Sequence, residues 1–143
     1  MLPFVAGRRP ILFSLLVQAV VSSAISFTSV AQGTRSQIQE PRQVVVRTAA
    51  DWQTLWTAHD SAAAPNVDFS NVIVVGVFLG TRPTAGFSVR ITAVTAAGTK
   101  AVVEYVETRP RPGGMTAQVL TSPFHLVTLP RQIETVEFKK ADK

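Results

Sequence analysis

Side chains capable of acid–base or metal chemistry are few and widely separated in this 143-residue chain. Its only histidines are His59 and His125, and it contains no cysteine. A zinc site needs several nitrogen, sulfur or carboxylate ligands close together, which this composition disfavours. His125 follows Thr121 and Ser122, but a histidine two to four residues from a hydroxyl in a strand usually has different neighbours. The sequence therefore predicts no catalytic residue, no metal ligand and no cofactor.

Arginine and proline recur together in two short segments. The first segment runs from Gly80 to Phe87 and the second from Arg109 to Gly114. Proline restricts the backbone and so lowers the entropy that a loop loses when it binds a partner. We expect these loops to occupy one end of the fold and to form a contact surface, although the arginines could serve solubility alone. The predicted partner-binding residues are Arg82, Pro83, Thr84, Arg109, Arg111 and Pro112.

The N-terminal segment has the pattern of a signal peptide. The basic pair Arg8-Arg9 precedes an apolar run from Ile11 to Phe27, and small residues follow up to Ala31. The run is shorter than the roughly 20 apolar residues that a spanning helix needs, so a retained membrane anchor is the weaker alternative. We predict that residues 1–31 are removed between Ala31 and Gln32. The remainder would be exported, to the periplasm or the extracellular space, without a membrane segment.

The rest of the chain has the length of one domain. Residues 32–41 are polar, lack apolar periodicity and end in proline, which predicts a linker before a domain at 42–143. Without Arg8-Arg9 the formal net charge falls from +5 to +3. The remaining charges are scattered along the sequence, so nothing in their distribution favours nucleic-acid binding.

One amphipathic helix is predicted from Ala49 to His59. The Thr48 hydroxyl can cap its first turn, and an acidic residue three positions later complements the helix dipole. Apolar and aromatic residues then recur at helical spacing on one face. These residues are Trp52, Leu55, Trp56 and His59. A helix this short needs a packing partner, so we expect the two indoles to dock on a sheet; a ligand platform is the weaker alternative.

The remaining apolar segments predict strands. The run from Val72 to Leu79 lacks polar alternation, which is typical of a strand covered on both faces. Gly76 within it indicates a bulge or a close approach by another element, for which the indoles are the candidate. Phe87 to Val94 alternates and forms a hairpin with Ala101 to Thr108. Four further strand segments are predicted at 43–47, 115–120, 124–129 and 135–139. The fold class is therefore α+β, mostly β, with the helix packed on an antiparallel sheet of about five or six strands.

Several blocks of the sequence are similar to the C-terminal domain of the PrcB family. They are Gly-Thr-Arg-Pro-Thr-Ala-Gly-Phe from Gly80, Val-Val-Glu-Tyr-Val-Glu-Thr from Val102, and Thr-Ser-Pro-Phe-His from Thr121. The resemblance implies an exported, non-catalytic accessory protein that binds a partner protease or protease complex and supports its assembly or stability.

A second resemblance supports a competing hypothesis. The segments Pro83 to Phe87 and Arg111 to Gly114 are similar to loops of the chagasin-type cysteine-protease inhibitors. The third inhibitory loop of that family, Arg-Pro-Trp, is absent, because both tryptophans lie in the predicted helix. A loop-based inhibitor and a small exported binding module therefore remain the alternatives to an accessory protein.

Overall fold

The structure, a computed structural model, describes residues 21–141 and consists of eight strands and one helix within that range. The basic pair and most of the apolar run of the predicted signal peptide lie outside the described residues. No helix within the described range is long and apolar enough to cross a membrane. The elements are β1 (Ser23–Ala24), β2 (Thr28–Gly33), β3 (Arg42–Val46), α1 (Ala49–His59), β4 (Val72–Phe78), β5 (Ser88–Ala97), β6 (Lys100–Thr108), β7 (Phe124–Pro130) and β8 (Thr135–Lys140).

The strands form two four-stranded sheets. Sheet I has the order β1-β5-β6-β8 and sheet II the order β2-β7-β4-β3. Neighbouring strands are antiparallel except β6 and β8, which are parallel. The predicted class, α+β and mostly β, is confirmed, but the strands divide between two sheets instead of forming a single sheet of five or six.

The strands divide between two sheets because β4 has two apolar faces and each face must be shielded from water by a different layer. Alternate β4 residues, with Ile73 and Val75 among them, pack against sheet I, and the intervening residues, with Val74 and Phe78 among them, pack beneath the helix. The fold is therefore three layers deep, with α1, sheet II and sheet I stacked in that order. This arrangement confirms that the strand is buried on both faces.

The helix matches its prediction at both ends. The Asp51 amide donates to the Thr48 hydroxyl at 3.1 Å, which satisfies one of the free amides of the first turn. The predicted stripe is buried, and each indole N–H donates to a carbonyl of the following loop, Trp52 to Pro65 and Trp56 to Ala62. Both tryptophans can therefore lie in the core without an unpaired polar group.

Two details of the strands differ from prediction. A Cβ on Gly76 would lie 2.3 Å from Leu126 Cδ2, so the glycine makes room for β7 of the same sheet and not for the indoles. A bulge between Ile91 and Ala93 shifts the alternation of β5, so that Val94 replaces Ala93 on the buried face. The exposed face of the strand still contains Ser88, Arg90 and Thr92, as predicted.

The segments on either side of the predicted cleavage bond are part of the folded unit. The bond between Ala31 and Gln32 lies inside β2, which pairs with β7 from Thr28 to Gly33. Beyond β2, Ser36 and Ile38 are buried within the stretch predicted to be a linker. The cleavage position and the domain boundary remain predictions.

Replacing Trp56 with alanine should lower the free energy of unfolding by about 3–5 kcal/mol, because the indole is buried and its loss leaves a cavity beneath the helix. Urea denaturation followed by circular dichroism would measure the change. Gln53→Ala, on the exposed side of the same helix, is the control and should change stability by less than about 0.5 kcal/mol. Equal losses in the two variants would contradict the packing described for the helix.

Candidate interaction surface

The two arginine- and proline-bearing loops lie side by side at one end of the sandwich. The first follows β4 and leads into β5, and the second follows β6 and leads into β7. Arg82 and Thr121 exchange two backbone hydrogen bonds of 2.7 and 3.0 Å, and the Ala85 amide donates to the Ala117 carbonyl at 3.0 Å. The Thr121 hydroxyl also donates to the Thr84 carbonyl at 2.9 Å. The loops are therefore fixed to each other, and we call the surface that they form the loop surface.

These contacts replace a strand that the sequence predicted. Residues 115–120 form no strand, and the Ala117 carbonyl accepts both from the Ala85 amide of the first loop and from the Val119 amide, which marks a tight turn. Gly86, which has a φ of +92°, allows the second loop to approach closely, because a Cβ there would lie 2.8 Å from Pro110 Cβ. The alternation between Met115 and Leu120 thus belongs to a loop with two-sided solvent access and not to a sheet.

A buried carboxylate anchors the loop surface to sheet I. The side chain of Glu107, at the end of β6, is only 4% exposed. Its Oε1 accepts from Arg82 Nε at 3.1 Å and contacts Arg82 Nη2 at 3.1 Å, while its Oε2 accepts from Lys140 Nζ at 3.0 Å. Arg109 Nη2 lies farther away, 3.9 Å from Oε2. One acidic group therefore links both loops to the end of β8.

The electrostatic balance at Glu107 favours its ionised form. Burial acts to raise the pKa of Glu107, but hydrogen bonds from Lys140 and Arg82 and the positive charges of both groups hold it below its usual value. Ionisation thus stabilises the folded state above the ordinary titration range of a glutamate. That contribution is lost as the pH falls through the lowered pKa.

The six predicted partner-binding residues differ in what they contact. Arg82 is partly buried and is held by Glu107 and by the Leu79 carbonyl, to which its Nη1 donates at 3.0 Å, so its role in the fold is structural. Thr84 is also partly buried against the second loop, whereas Pro83 is exposed. Arg109, Arg111 and Pro112 are exposed, and within residues 21–141 no ion pair involves Arg111.

The most exposed apolar side chains on the loop surface were not predicted from the sequence. Met115 is fully exposed, Leu120 is 75% exposed and Val119 is 49% exposed. Three of the five large apolar side chains that are exposed within the described residues thus belong to one segment. A six-residue apolar alternation indicated a strand, and only the tertiary structure reveals that no sheet covers it. Contiguous exposed apolar area is typical of protein-binding surfaces, and this segment is the main source of such area among residues 21–141.

A groove of about 470 Å³ lies between the two sheets beside the loop surface. Its walls come from β3 and β4 on one side and from β6 and β8 on the other. The lining includes Arg42, Gln43, Phe78, Arg82, Tyr105 and Lys140. Glu107 in the same lining neutralises part of this positive charge, so the groove is not strongly attractive to an anion. Through Arg82 the groove is continuous with the loop surface.

Both ring nitrogens of His125 take part in hydrogen bonds within the protein. Its Nδ1 accepts from the Ile91 amide of sheet I at 2.8 Å, and its Nε2 lies 2.9 Å from the Ser29 hydroxyl of β2. Because Nδ1 is the acceptor, the neutral ring carries its proton on Nε2 and donates it to Ser29. The ring therefore cannot accept the serine proton as a general base would. Ser122, the neighbour in sequence, instead donates to the Ile38 carbonyl at 2.6 Å.

His59 is packed among aromatic rings beneath the helix. The Ser36 hydroxyl accepts from the Ile38 amide and lies 2.7 Å from His59 Nδ1, to which it can donate its proton. The other ring nitrogen, Nε2, is buried without a hydrogen-bond partner among the described residues. The ring of Phe124 meets the imidazole edge to face at 4.2 Å between centroids, a geometry that suits a weak N–H···π contact. His59 is thus a residue of the core.

Metal coordination has no visible basis in the part of the chain that the structure describes. Between residues 21 and 141, no group of three or more histidine, aspartate or glutamate side chains is arranged to hold an ion. Glu104 and Glu107 lie on opposite faces of β6, where Lys139 approaches the former and Arg82 the latter. The structure therefore brings the two arginine- and proline-bearing loops together. It keeps the two histidines apart from each other and the two glutamates of β6 on opposite faces.

The fold and site together define a helix-covered β-sandwich that presents a rigid loop surface. Residues 73–130 match the family model described as PrcB C-terminal. This part of the chain is therefore similar to the PrcB C-terminal family, as the sequence blocks indicated, and the match runs from β4 through both loops to the end of β7. No curated protein and no solved structure matches the chain significantly.

Replacing Glu107 with glutamine should lower the free energy of unfolding by about 1–3 kcal/mol, because Arg82 and Lys140 then lose a buried anionic acceptor. Glu104→Gln is the matched control on the same strand. Its carboxylate is 36% exposed and lies 3.9 Å from Lys139, so the loss should stay within about 0.5 kcal/mol. Urea titration of both variants at neutral pH is the measurement. Similar values for the two would mean that Glu107 does not anchor the loops.

Acidification should destabilise the protein through its two histidines. Burial lowers the pKa of His59, partly opposed by Asp60, and burial together with Arg90 lowers the pKa of His125. The unfolded chain then binds more protons than the native one, so stability is fully present above about pH 6.5 and falls as the pH drops toward the native pKa values. Urea midpoints at pH 7.5 and 5 would measure the change. In His125→Gln the decrease should be smaller, since an amide can accept from Ile91 and donate to Ser29 without titrating.

Proposed function

We propose that this protein is an exported, non-catalytic accessory protein that binds a partner protease through the loop surface and stabilises or assembles it. The observation that carries the proposal is the pair of mutually fixed loops, which direct apolar and cationic side chains outward. The match to the PrcB C-terminal family is consistent with this role. The internal hydrogen bonds of His125 also leave that ring no free base for catalysis.

The chemistry of the loop surface suggests what its partner offers. Met115 and Leu120 present apolar area that a partner can bury, and the exposed Arg109 and Arg111 in the same loop add positive charge. An apolar depression bordered by carboxylates would complement this pattern. Since the backbone of both loops is already hydrogen-bonded, little conformational entropy would be lost on binding.

A loop-based inhibitor of cysteine proteases is the second candidate. It is favoured by the side-by-side position of the two loops that resemble chagasin-type inhibitory loops, since an inhibitor must present its loops together. The third Arg-Pro-Trp loop is absent from the sequence, and both tryptophans lie buried in the helix. We therefore rank the inhibitor below the accessory protein.

Crosslinking and affinity capture from the native host, with this protein as bait, would distinguish the two candidates. The accessory hypothesis predicts recovery of one protease, whose amount or activity falls when the gene is deleted. The inhibitor hypothesis predicts higher protease activity on deletion and direct inhibition of a papain-like enzyme by the purified protein. Recovery of no protease would contradict both.

Serine substitution at both Met115 and Leu120 should weaken capture of that protease by about tenfold or more, because the interface loses its apolar contacts. The matched control is Val45→Ser, which alters an exposed apolar residue midway along β3 and away from the loops. Binding is measured with the captured protease after circular dichroism has established that both variants fold. Unchanged binding by the folded double variant would move the contact off the loop surface.

A further inference from the structure

The segment from Ile25 to Gly33 forms one side of the sandwich. Its β2 portion is an edge strand of sheet II, where Thr28 pairs with Thr128 and Gly33 with Phe124. Ile25 and Phe27 pack against the core between the two sheets. Val30 and Ala31 pack against the cluster beneath the helix. Apolar residues of this segment therefore contribute to both cores of the fold.

Polar groups of the same segment complete the hydrogen bonding of sheet I. β1 pairs only with Thr95 and Ala96, so the rest of that edge of β5 lacks a neighbouring strand. Gln32 Nε2 donates to the Val89 carbonyl at 3.0 Å, and His125, held by Ser29, accepts from the Ile91 amide. The β2 segment thus supplies a donor to the Val89 carbonyl directly, and through Ser29 it orients the His125 ring that accepts from Ile91.

Among the described residues of the N-terminal segment, packing against the core begins at Ile25. Its amide donates to the Val94 carbonyl at 2.9 Å, and its side chain is partly buried. The two preceding residues, Ser23 and Ala24, are exposed and make only the short β1 pairing. They also end a second small-residue pattern, Ser22-Ser23-Ala24, directly after the apolar run from Ile11 to Val21, whose length fits the about 7–15 residues typical of a signal-peptide core.

We propose that the export peptidase cleaves between Ala24 and Ile25, and not between Ala31 and Gln32. This inference depends on the export included in the proposed function. The enzyme would be a signal peptidase that accepts small residues at the first and third positions before the cut, here Ala24 and Ser22. The mature protein would then begin at Ile25 and keep the whole of β2.

The cleavage is a hydrolysis that leaves the fold intact. Water adds across the Ala24–Ile25 peptide bond and gives a carboxylate on the released peptide and an α-amino group on Ile25. In its protonated form that new amino group can still donate to the Val94 carbonyl, which the Ile25 amide contacts in the uncut chain. Only the two-residue β1 pairing of sheet I is lost.

Cleavage after Ala31 would have a much larger effect. It would remove Ile25 and Phe27 from the core and take Ser29 away from His125. Most of β2 would leave the edge of β7, which includes the fully buried Leu126 and Val127. An apolar strand with an uncovered edge invites aggregation, so that product would be a poor candidate for a stable exported protein.

The test is to express the full-length chain in an exporting host and to determine the intact mass and N-terminal sequence of the product recovered outside the cytoplasm. We expect a single mature form that begins at Ile25. An exported form that begins at Gln32 would overturn the cleavage position and leave the export proposal standing. A full-length product retained in the cytoplasm or membrane would instead contradict export itself.

Matched variants of the full-length chain give a second readout. Valine at the position before the cut blocks signal peptidases while preserving β propensity in the folded chain. Ala24→Val should therefore cause uncleaved precursor to accumulate, whereas Ala31→Val should be processed at Ile25 like the unmodified chain. Accumulation of precursor with Ala31→Val, together with normal processing of Ala24→Val, would assign the cut to Gln32 and overturn the proposal.

Discussion

Strands β4 and β7 lie at the centre of sheet II and bury apolar side chains on both faces, and the rest of the structure follows from covering them. One face is closed by sheet I and the other by the helix through Trp52 and Trp56. At roughly 25 cal/mol for each Å² of apolar surface removed from water, leaving either face open would cost more than such a domain has in reserve. Gly76 is part of the same constraint, because any side chain there would collide with Leu126 of the neighbouring strand.

Within residues 21–141, the two buried histidines connect separate elements of the interior. His125 links β7 to sheet I and to β2, and His59 links the helix to the segment that contains Ser36. Buried imidazoles are stable there as neutral rings, since burial penalises their charged form. His59 and His125, the two histidines of the sequence, thus serve the fold, because hydrogen bonds to Ser36, Ser29 and Ile91 hold their rings in the interior.

The loop surface depends on a different kind of interaction, an ion cluster with one acid at its centre. Glu107 can be buried because Arg82 and Lys140 approach it from two separate parts of the chain. Fixing Arg82 in this way orders the loop after β4, and backbone hydrogen bonds then order the loop after β6. Because the backbone of both loops is already hydrogen-bonded, the contact proposed above would cost little conformational entropy.

Local patterns in the sequence determined the helix, its cap, the burial of β4 on both faces and the β5–β6 hairpin, because each depends on residues close together in the chain. The blocks around the two loops also identified the family resemblance. Only the tertiary structure decided that the strands divide into two sheets, that His125 meets Ser29, and that Glu107 meets Arg82 and Lys140. Those pairings join residues far apart in sequence, and no local periodicity encodes which distant strand or side chain will supply the partner. The residues from Thr28 to Gly33 are the clearest example, since a segment with the local pattern of a cleavage site is also the edge strand that β7 requires.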